Sequence, residues 1–332
     1  MNPKTLKEIA KELKVSRFTI ARVLRDEKYV SEKTRNLILN YLKKNPYVPN
    51  IHSTILSSGK VNILGLVFFG DASVLTEFYT QEIIKGTSEA AKNEGYQLML
   101  FTQDKFDSFE CLKLYMSRLV AGLILPGVGK NNFKDVLGLK HKKVPLVLVC
   151  SHLNDISSFA CDNVRGGYLA TKHLLDSGRK RIAYLSGRKN WVDAVDRFKG
   201  YKKALKEKGK NIIEEYVQWD DGHGNYEEKA IKNLLALKEP PDAIFVANDR
   251  MALAAMSIIK QAGKNIPQDI AVIGFDNMPS CENFSPPLST VAQPIKDIAF
   301  VATKSLIKII SSGKDKDYTR FFKPELVIRQ SG

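Results

Sequence analysis

TLKEIAKELKVSRFTIARVL, the stretch from Thr5 to Leu24, contains two short amphipathic segments and the break between them. Thr5, with Glu8 three residues on, has the spacing of a capping box, in which hydroxyl and carboxylate each satisfy a backbone N–H left open at a helix start. Ile9, Ala10 and Leu13 recur on one helical face. The pattern breaks at Leu13-Lys14-Val15, and Ser16 is placed to cap a second helix with Ile20, Val23 and Leu24 inward. A third helix follows Ser31, turns Leu37, Ile38, Tyr41 and Leu42 inward and stops at Asn45-Pro46. Two short helices at a tight turn, braced by a third, form a helix-turn-helix.

The charge distribution suits that motif. Residues 1–60 hold thirteen Lys/Arg and five Asp/Glu, a surplus of eight in a chain of 332 residues with formal charge +15. Such a segment fits a phosphate backbone, and a solvated lysine-rich face would have the same composition. Beyond it, Pro46, Pro49, Asn50, Ser53, Thr54, Ser57, Ser58 and Gly59 read as a linker in which Ile51, Ile55 and Leu56 have no apolar partner. β-branched residues, serines and short length make this a poor helix alone, so it is expected to fold only against another surface.

From residue 61 the period changes. Apolar runs of strand length at Ile63–Phe69, Leu98–Phe101, Gly122–Leu125, Leu146–Cys150, Ile182–Leu185, Ala243–Val246 and Ile270–Phe275 alternate with amphipathic stretches such as Glu82–Glu94, Gly166–Ser177, Gly200–Lys208, Tyr226–Leu237 and Arg250–Ala262. Repeated βα units build parallel sheets covered by helices on both faces. This length of chain is large for one sheet, so two doubly wound lobes are expected, with ligands between them beyond the carboxyl ends of the strands. Cys111, Cys150, Cys161 and Cys281 are too scattered for a zinc site or a disulfide framework, and Cys150 and Cys161 read as buried small hydrophobes. No signal-peptide pattern opens the chain and no apolar run reaches membrane-spanning length, so a cytoplasmic protein without membrane contact is expected.

The blocks Thr5–Ala10, Val15–Leu24, Val30–Arg35 and Tyr47–Asn50, followed in order by Asp162–Thr171, Arg197–Tyr201, Ala247–Leu253, Ile273–Asn277 and Pro286–Val291, resemble the lactose-repressor/galactose-repressor family of bacterial regulators along nearly the whole chain. The resemblance implies an all-α helix-turn-helix headpiece over 1–50, a hinge helix over 51–60 and a two-lobed α/β core over 61–332 like that of periplasmic binding proteins. The N-lobe would span about 61–161 and 292–320 and the C-lobe about 162–291, with three crossings between them.

A recognition helix presents its N-terminal residues to base edges in the major groove, here Arg17, Phe18 and Arg22. Arginine can grip guanine through two hydrogen bonds, while Phe18 suits a thymine methyl or a sugar. Ser16, Thr19, Ser31 and Thr34 are candidate phosphate donors, with helix capping as their plain structural role. Thr5 and Asn50 complete the candidate headpiece contacts. In the family, paired hinge helices wedge a leucine into the minor groove, and Leu56 stands at that position. Ser53, Thr54 and Ile55 replace the usual Ala-Arg-Ser there, which implies a weaker hinge contact, with Ser53 at the tight approach.

For the effector, the resemblance assigns Arg197, Asn248 and Asp276. Asp71, Phe78 and Tyr79 fall in the loop region after the first strand, where Glu77-Phe78-Tyr79-Thr80 replaces the common Asn-Pro-Phe-Phe. Trp191 and Trp219 are candidate stacking plates, with core packing as the alternative for each, and Trp219 is carried as the ligand contact. A sugar or sugar phosphate is favoured over a nucleobase. An enzyme is not expected, nor a cofactor or metal: GxGxxG after the first strand, GxxxxGK[ST], GxSxG and metal-spaced histidines are all missing. The function expected is that of a transcriptional regulator, a repressor binding a pseudo-palindromic operator as a homodimer under small-molecule control. The alternatives are a solute-binding protein, which has no use for the basic headpiece, and a nucleobase-responsive corepressor-type regulator. With no heptad tail after Leu326–Arg329, a dimer is expected rather than a coiled-coil tetramer.

Overall fold

The computed structural model describes residues 4–24, 27, 29–45, 61–70, 72–220 and 226–332. The chain divides into two compact units, Met1–Lys60 and Val61–Gly332. In the first, α1 (Leu6–Glu12), α2 (Arg17–Leu24) and α3 (Glu32–Lys44) surround buried Ile9, Ala10, Ile20, Val23 and Ile38. The capping box forms: Thr5 N–H donates to the Glu8 carboxylate at 2.7 Å and Glu8 N–H to the Thr5 hydroxyl at 3.3 Å. Thr19 N–H donates to Ser16 Oγ at 3.0 Å and Thr34 N–H to Ser31 Oγ at 3.3 Å, so both serines start their helices. Two expected core residues are exposed instead. Leu24 and Leu37 each sit one residue, about 100° of helix, from Val23 and Ile38, and the small three-helix centre has room for one of each pair. The linker 46–60, with Asn50, Ser53 and Leu56, lies outside the described residues.

The second unit holds two six-stranded sheets. One joins β1 (Ile63–Phe69), β2 (Gln97–Gln103), β3 (Gly122–Pro126), β4 (Leu146–Val149), β5 (Ser158–Cys161) and β11 (Thr319–Phe322) in the order β11-β5-β4-β3-β1-β2, all parallel. The other joins β6 (Ile182–Ser186), β7 (Val217–Trp219), β8 (Ala243–Val246), β9 (Ala271–Asp276), β10 (Ser289–Ala292) and β12 (Glu325–Val327) in the order β12-β10-β9-β8-β6-β7. There β12 runs antiparallel to β10. Helices α4 (Phe78–Asn93), α5 (Ser108–Met116), α6 (Phe133–His141) and α11 (Ile295–Ser312) belong to the first lobe; α7 (Asn163–Asp176), α8 (Val192–Glu207), α9 (Tyr226–Leu235) and α10 (Asp249–Gln261) belong to the second. Both faces of each sheet are covered: Leu64, Leu66 and Val147 face one buried cluster of the N-lobe, and Val67, Leu123 and Leu148 face another. The chain passes between lobes after β5, after β10 and between β11 and β12. The last of these brings the final strand, expected at Leu326–Arg329, back to the C-lobe sheet as its antiparallel edge.

Two helix pairs touch backbone to backbone through glycine. A Cβ on Gly86 of α4 would lie 2.1 Å from the Lys296 carbonyl oxygen of α11. In the C-lobe, a Cβ on Gly167 of α7 would lie 2.1 Å from the Arg197 carbonyl oxygen, and one on Gly200 of α8 would lie 2.1 Å from that of Val164. Gly200→Ala is therefore expected to destabilise the core by about 1–3 kcal/mol in urea unfolding, through forced separation of α7 and α8. Gly138→Ala, on α6 with nothing near the added methyl, is the control and should gain about 0.5–1 kcal/mol from helix propensity. Equal behaviour of the two variants would show that the crossing yields freely.

Candidate functional site

The headpiece exposes one helix face that its core does not use. Arg17 and Phe18 occupy the first turn of α2, and Arg22 lies one turn beyond Phe18 on the same side. Phe18 is 78% exposed, an unusual position for an aromatic ring on a basic helix, and Ile20 and Val23 anchor the opposite side. Arg22 pairs with Glu27 at 3.7 Å. The hydroxyls of Ser16 and Thr19 are hydrogen-bonded to each other at 2.8 Å and those of Ser31 and Thr34 at 2.9 Å, so the four candidate phosphate donors form two exposed pairs at helix N-termini.

In the core, a cleft of about 970 Å³ lies where the carboxyl ends of the two sheets face each other. Arg197, on α8, is buried at its inner end. Its Nε donates to Asn163 Oδ1 at 2.9 Å, a terminal nitrogen donates to the Ala247 carbonyl, another pairs with Asp193 at 3.4 Å, and the guanidinium lies 3.8 Å from the Phe275 ring centre. The side chain is thus held on four sides. Of these partners, Asp193 could have been found from its i, i+4 spacing to Arg197, whereas Asn163, Ala247 and Phe275 arrive from other elements.

Asn248 caps α10, its Oδ1 accepting from Met251 N–H at 2.8 Å. Beside it, fully buried Asp249 accepts from the Thr290 hydroxyl at 2.6 Å, Met278 N–H at 2.8 Å and the Cys281 thiol at 3.2 Å. That network ties the loop after β9 to the start of α10, bringing Asn248 and Asp276 to the same cleft. Asp276 has φ +121°, a conformation costly for a residue with a Cβ, and its carboxylate accepts from Gln293 Nε2 at 2.6 Å. Burial pushes the Asp276 carboxyl up to about 8, against the pull of Arg197 and with a further push from Asp249.

Phe78 and Tyr79 line the cleft from the N-lobe, where Cys150 also faces it. Asp71 lies outside the described residues. The expected plate at Trp219 is not part of the lining: its ring packs edge-on to Tyr184 at 5.9 Å and Phe198 at 5.3 Å, in the aromatic layer beside β6. Trp191 lines the cleft instead, 42% exposed. Among the described residues, five carboxylates (Glu77, Asp104, Asp193, Asp220, Glu227) besides the protonated Asp276 face four cations (Lys105, Arg188, Arg197, Arg250), so the lining is slightly acidic in a chain that is strongly basic. Polar contacts between the lobes include His152 Nε2 with Asp196 Oδ2 at 2.7 Å, and Lys130 N–H donating to the Asn190 carbonyl at 3.0 Å. No helix among the described residues is long and apolar enough to cross a membrane.

Residues 5–50 match the description "Bacterial regulatory proteins, lacI family" and residues 171–332 match "Periplasmic binding protein-like domain". Over 98% of its length the chain is 33% identical to the HTH-type transcriptional repressor PurR of Mannheimia succiniciproducens, 98% of which is covered. Among solved structures it is similar to the transcriptional regulator CelR in complex with cellobiose, at 28% identity and TM-score 0.76 over 99% of this chain and 100% of that one. It also shares the fold of the lac repressor dimer bound to operator and the anti-inducer ONPF, at 23% identity and TM-score 0.87 over 99% of each chain.

The Asp276 carboxyl has a testable pH signature. Its ordinary value is 3.8, so between that pH and about 8 the unfolded chain has lost a proton that the folded chain keeps. Stability from this group therefore falls as pH rises through that window and is level above it. Asp276→Asn removes the effect, so the melting temperature of the variant relative to the parent should climb between pH 5 and pH 8. A difference independent of pH would mean that the carboxyl is already ionised in the folded protein.

Proposed function

Because this chain belongs to the lacI family of bacterial regulatory proteins, DNA-binding transcriptional repressors with an effector-binding domain, we propose that it acts in the cytoplasm as a homodimer on a pseudo-palindromic operator, under the control of an uncharged sugar. In this reading Arg17, Phe18 and Arg22 meet base edges, while Thr5, Ser16, Thr19, Ser31 and Thr34 meet phosphates at helix starts. Asn50 and Ser53 add further DNA contacts, and Leu56 is the candidate minor-groove wedge. Two-fold symmetry follows from reading two half-sites one helical turn apart.

The observation that carries the effector assignment is the neutralised Arg197. Asp193 pairs with it at 3.4 Å, and Asp276, whose carboxyl burial keeps protonated up to about pH 8, adds a neutral donor and acceptor, so the inner cleft offers fixed hydrogen-bonding groups without surplus positive charge. A phosphate or carboxylate there would face the acidic lining, whereas the hydroxyls of a sugar can both donate to carboxylates and accept from Arg197 and Asn248. Phe78, Tyr79 and Trp191 supply apolar planes for the ring faces. The CelR relative, solved with cellobiose, is a precedent for a sugar in this fold.

Two substitutions separate the functions. Arg22→Ala should cost about 1–3 kcal/mol on the operator and far less on a scrambled duplex, read by fluorescence anisotropy at one salt concentration. An equal loss on both duplexes would make Arg22 a phosphate contact. Arg197→Ala should keep operator affinity and lose the change in affinity that the effector sugar causes, because a ligand shifts DNA binding only through its differential affinity for two states. A full response in that variant would overturn the assignment of the cleft.

A further inference from the structure

We infer that the outer edge of β11 is a docking surface for an extended, acidic segment of a partner protein, which adds to the N-lobe sheet as a further strand.

β11 ends its sheet: it pairs with β5 on one side, and among the described residues no strand lies on the other. The Tyr318 carbonyl accepts from Ser158 N–H at 2.9 Å and the Phe322 carbonyl from Asp162 N–H at 2.8 Å, so residues 318, 320 and 322 turn their backbone groups inward to β5. Backbone groups alternate in direction along a strand, which leaves the N–H and C=O of Thr319 and Phe321 pointing outward. A row of open backbone groups is a template for another strand. The side chains beside it are accessible as well. Tyr318 is 41% and Phe321 52% exposed, and the alternation places them on opposite faces of the sheet. Each ring is braced from behind, Tyr318 edge-on to Phe159 at 5.5 Å and Phe321 edge-on to His152 at 5.3 Å.

Charge chooses the occupant. From residue 314 to 323 the chain reads Lys-Asp-Lys-Asp-Tyr-Thr-Arg-Phe-Phe-Lys. Both acids are engaged within the lobe: Asp315 accepts from the Ser157 hydroxyl, and Asp317 pairs with Lys140 at the end of α6. Lys314, Lys316, Arg320 and Lys323 are exposed, and among the described residues none of them is in an ion pair. Lysines on an edge strand commonly keep a second copy from pairing there, and these cations do so here, because two such edges repel. The same charges attract a strand of opposite sign. Protection alone would be served by polar side chains throughout. Two braced, half-exposed aromatic rings instead supply the apolar contact that a docked strand needs on each face.

The test is fluorescence anisotropy of labelled peptides of about ten residues, titrated with the full chain: one of alternating Glu and Val, one of Thr and Val, and the Glu-Val peptide N-methylated along its backbone. The Glu-Val peptide should bind about tenfold or more tightly than the Thr-Val peptide and weaken as salt screens the attraction. Its N-methylated form keeps the charge but cannot pair as a strand, and should lose binding. Thr319→Pro removes one outward N–H and spares the β5 ladder, so it should weaken the Glu-Val peptide by about five- to tenfold. Lys316→Glu combined with Arg320→Glu should abolish the preference for the acidic peptide. Binding that both protein variants leave unchanged would put the peptide elsewhere, such as on the basic headpiece, and overturn the proposal. Equal binding of the N-methylated peptide would reduce the surface to loose charge attraction and overturn strand addition. An oligomer of the parent protein that Thr319→Pro dissociates in sedimentation would give the edge to a second copy and overturn the acidic partner.

Discussion

Where α7 and α8 cross, no side chain separates them. Gly167 and Gly200 let the backbone of each helix rest on the other, so the part of α8 that carries Arg197 is set directly against the start of α7, which carries Asn163. From there the guanidinium reaches Ala247 at the end of β8 and Phe275 in β9. Three elements distant in sequence thus converge on one cation because two glycines permit an approach that any Cβ would forbid. The remaining parts of the inner cleft follow: Asp193 reaches back to the same group, and the Asp249 network holds the Asp276 loop opposite. A buried charge is tolerated only when it is paired and hydrogen-bonded, and here two of those partners, Asp193 and Ala247, also line the cleft.

The protein keeps two surfaces of opposite sign. The headpiece segment is basic, which suits phosphates, while the cleft lining is acidic. The first unit thus suits polyanions, while the acidic cleft of the second does not. Net charge alone would have suggested one undifferentiated basic surface.

How much of this was legible in the sequence depends on how local the cause is. The capping box at Thr5 and Glu8 was readable because its two residues determine it between themselves. The apolar strands β1 and β9, seven and six residues long, were readable because burial on both faces demands unbroken hydrophobic runs. Strands β5, β7, β10 and β11 were not, since each has three or four residues and exists because a neighbouring strand is there to pair with it. Leu24 and Leu37 show the same limit: the helical face was right to within one residue, and tertiary packing chose the neighbour. At the cleft, Arg197, Asn248 and Asp276 were found through their family blocks. The exchange of Trp219 for Trp191 was not, because which tryptophan faces the cleft depends on how β6 and β7 end. Asn50, Ser53, Leu56 and Asp71 fall outside the described residues.

The three passages of chain between the lobes have a mechanical meaning. Bodies joined by a single strand can swivel, and bodies joined by two can still twist about the line between them. A third connection, in the same region after β5, β10 and β11, removes that freedom and leaves essentially one angle of opening. A change of cleft width in a body so connected is a rotation about one axis. Ligand chemistry can therefore diverge by substitution in the lining, at Asp193, Asn190 or Trp191, while the motion delivered to the lobe that the chain enters at Val61 stays the same.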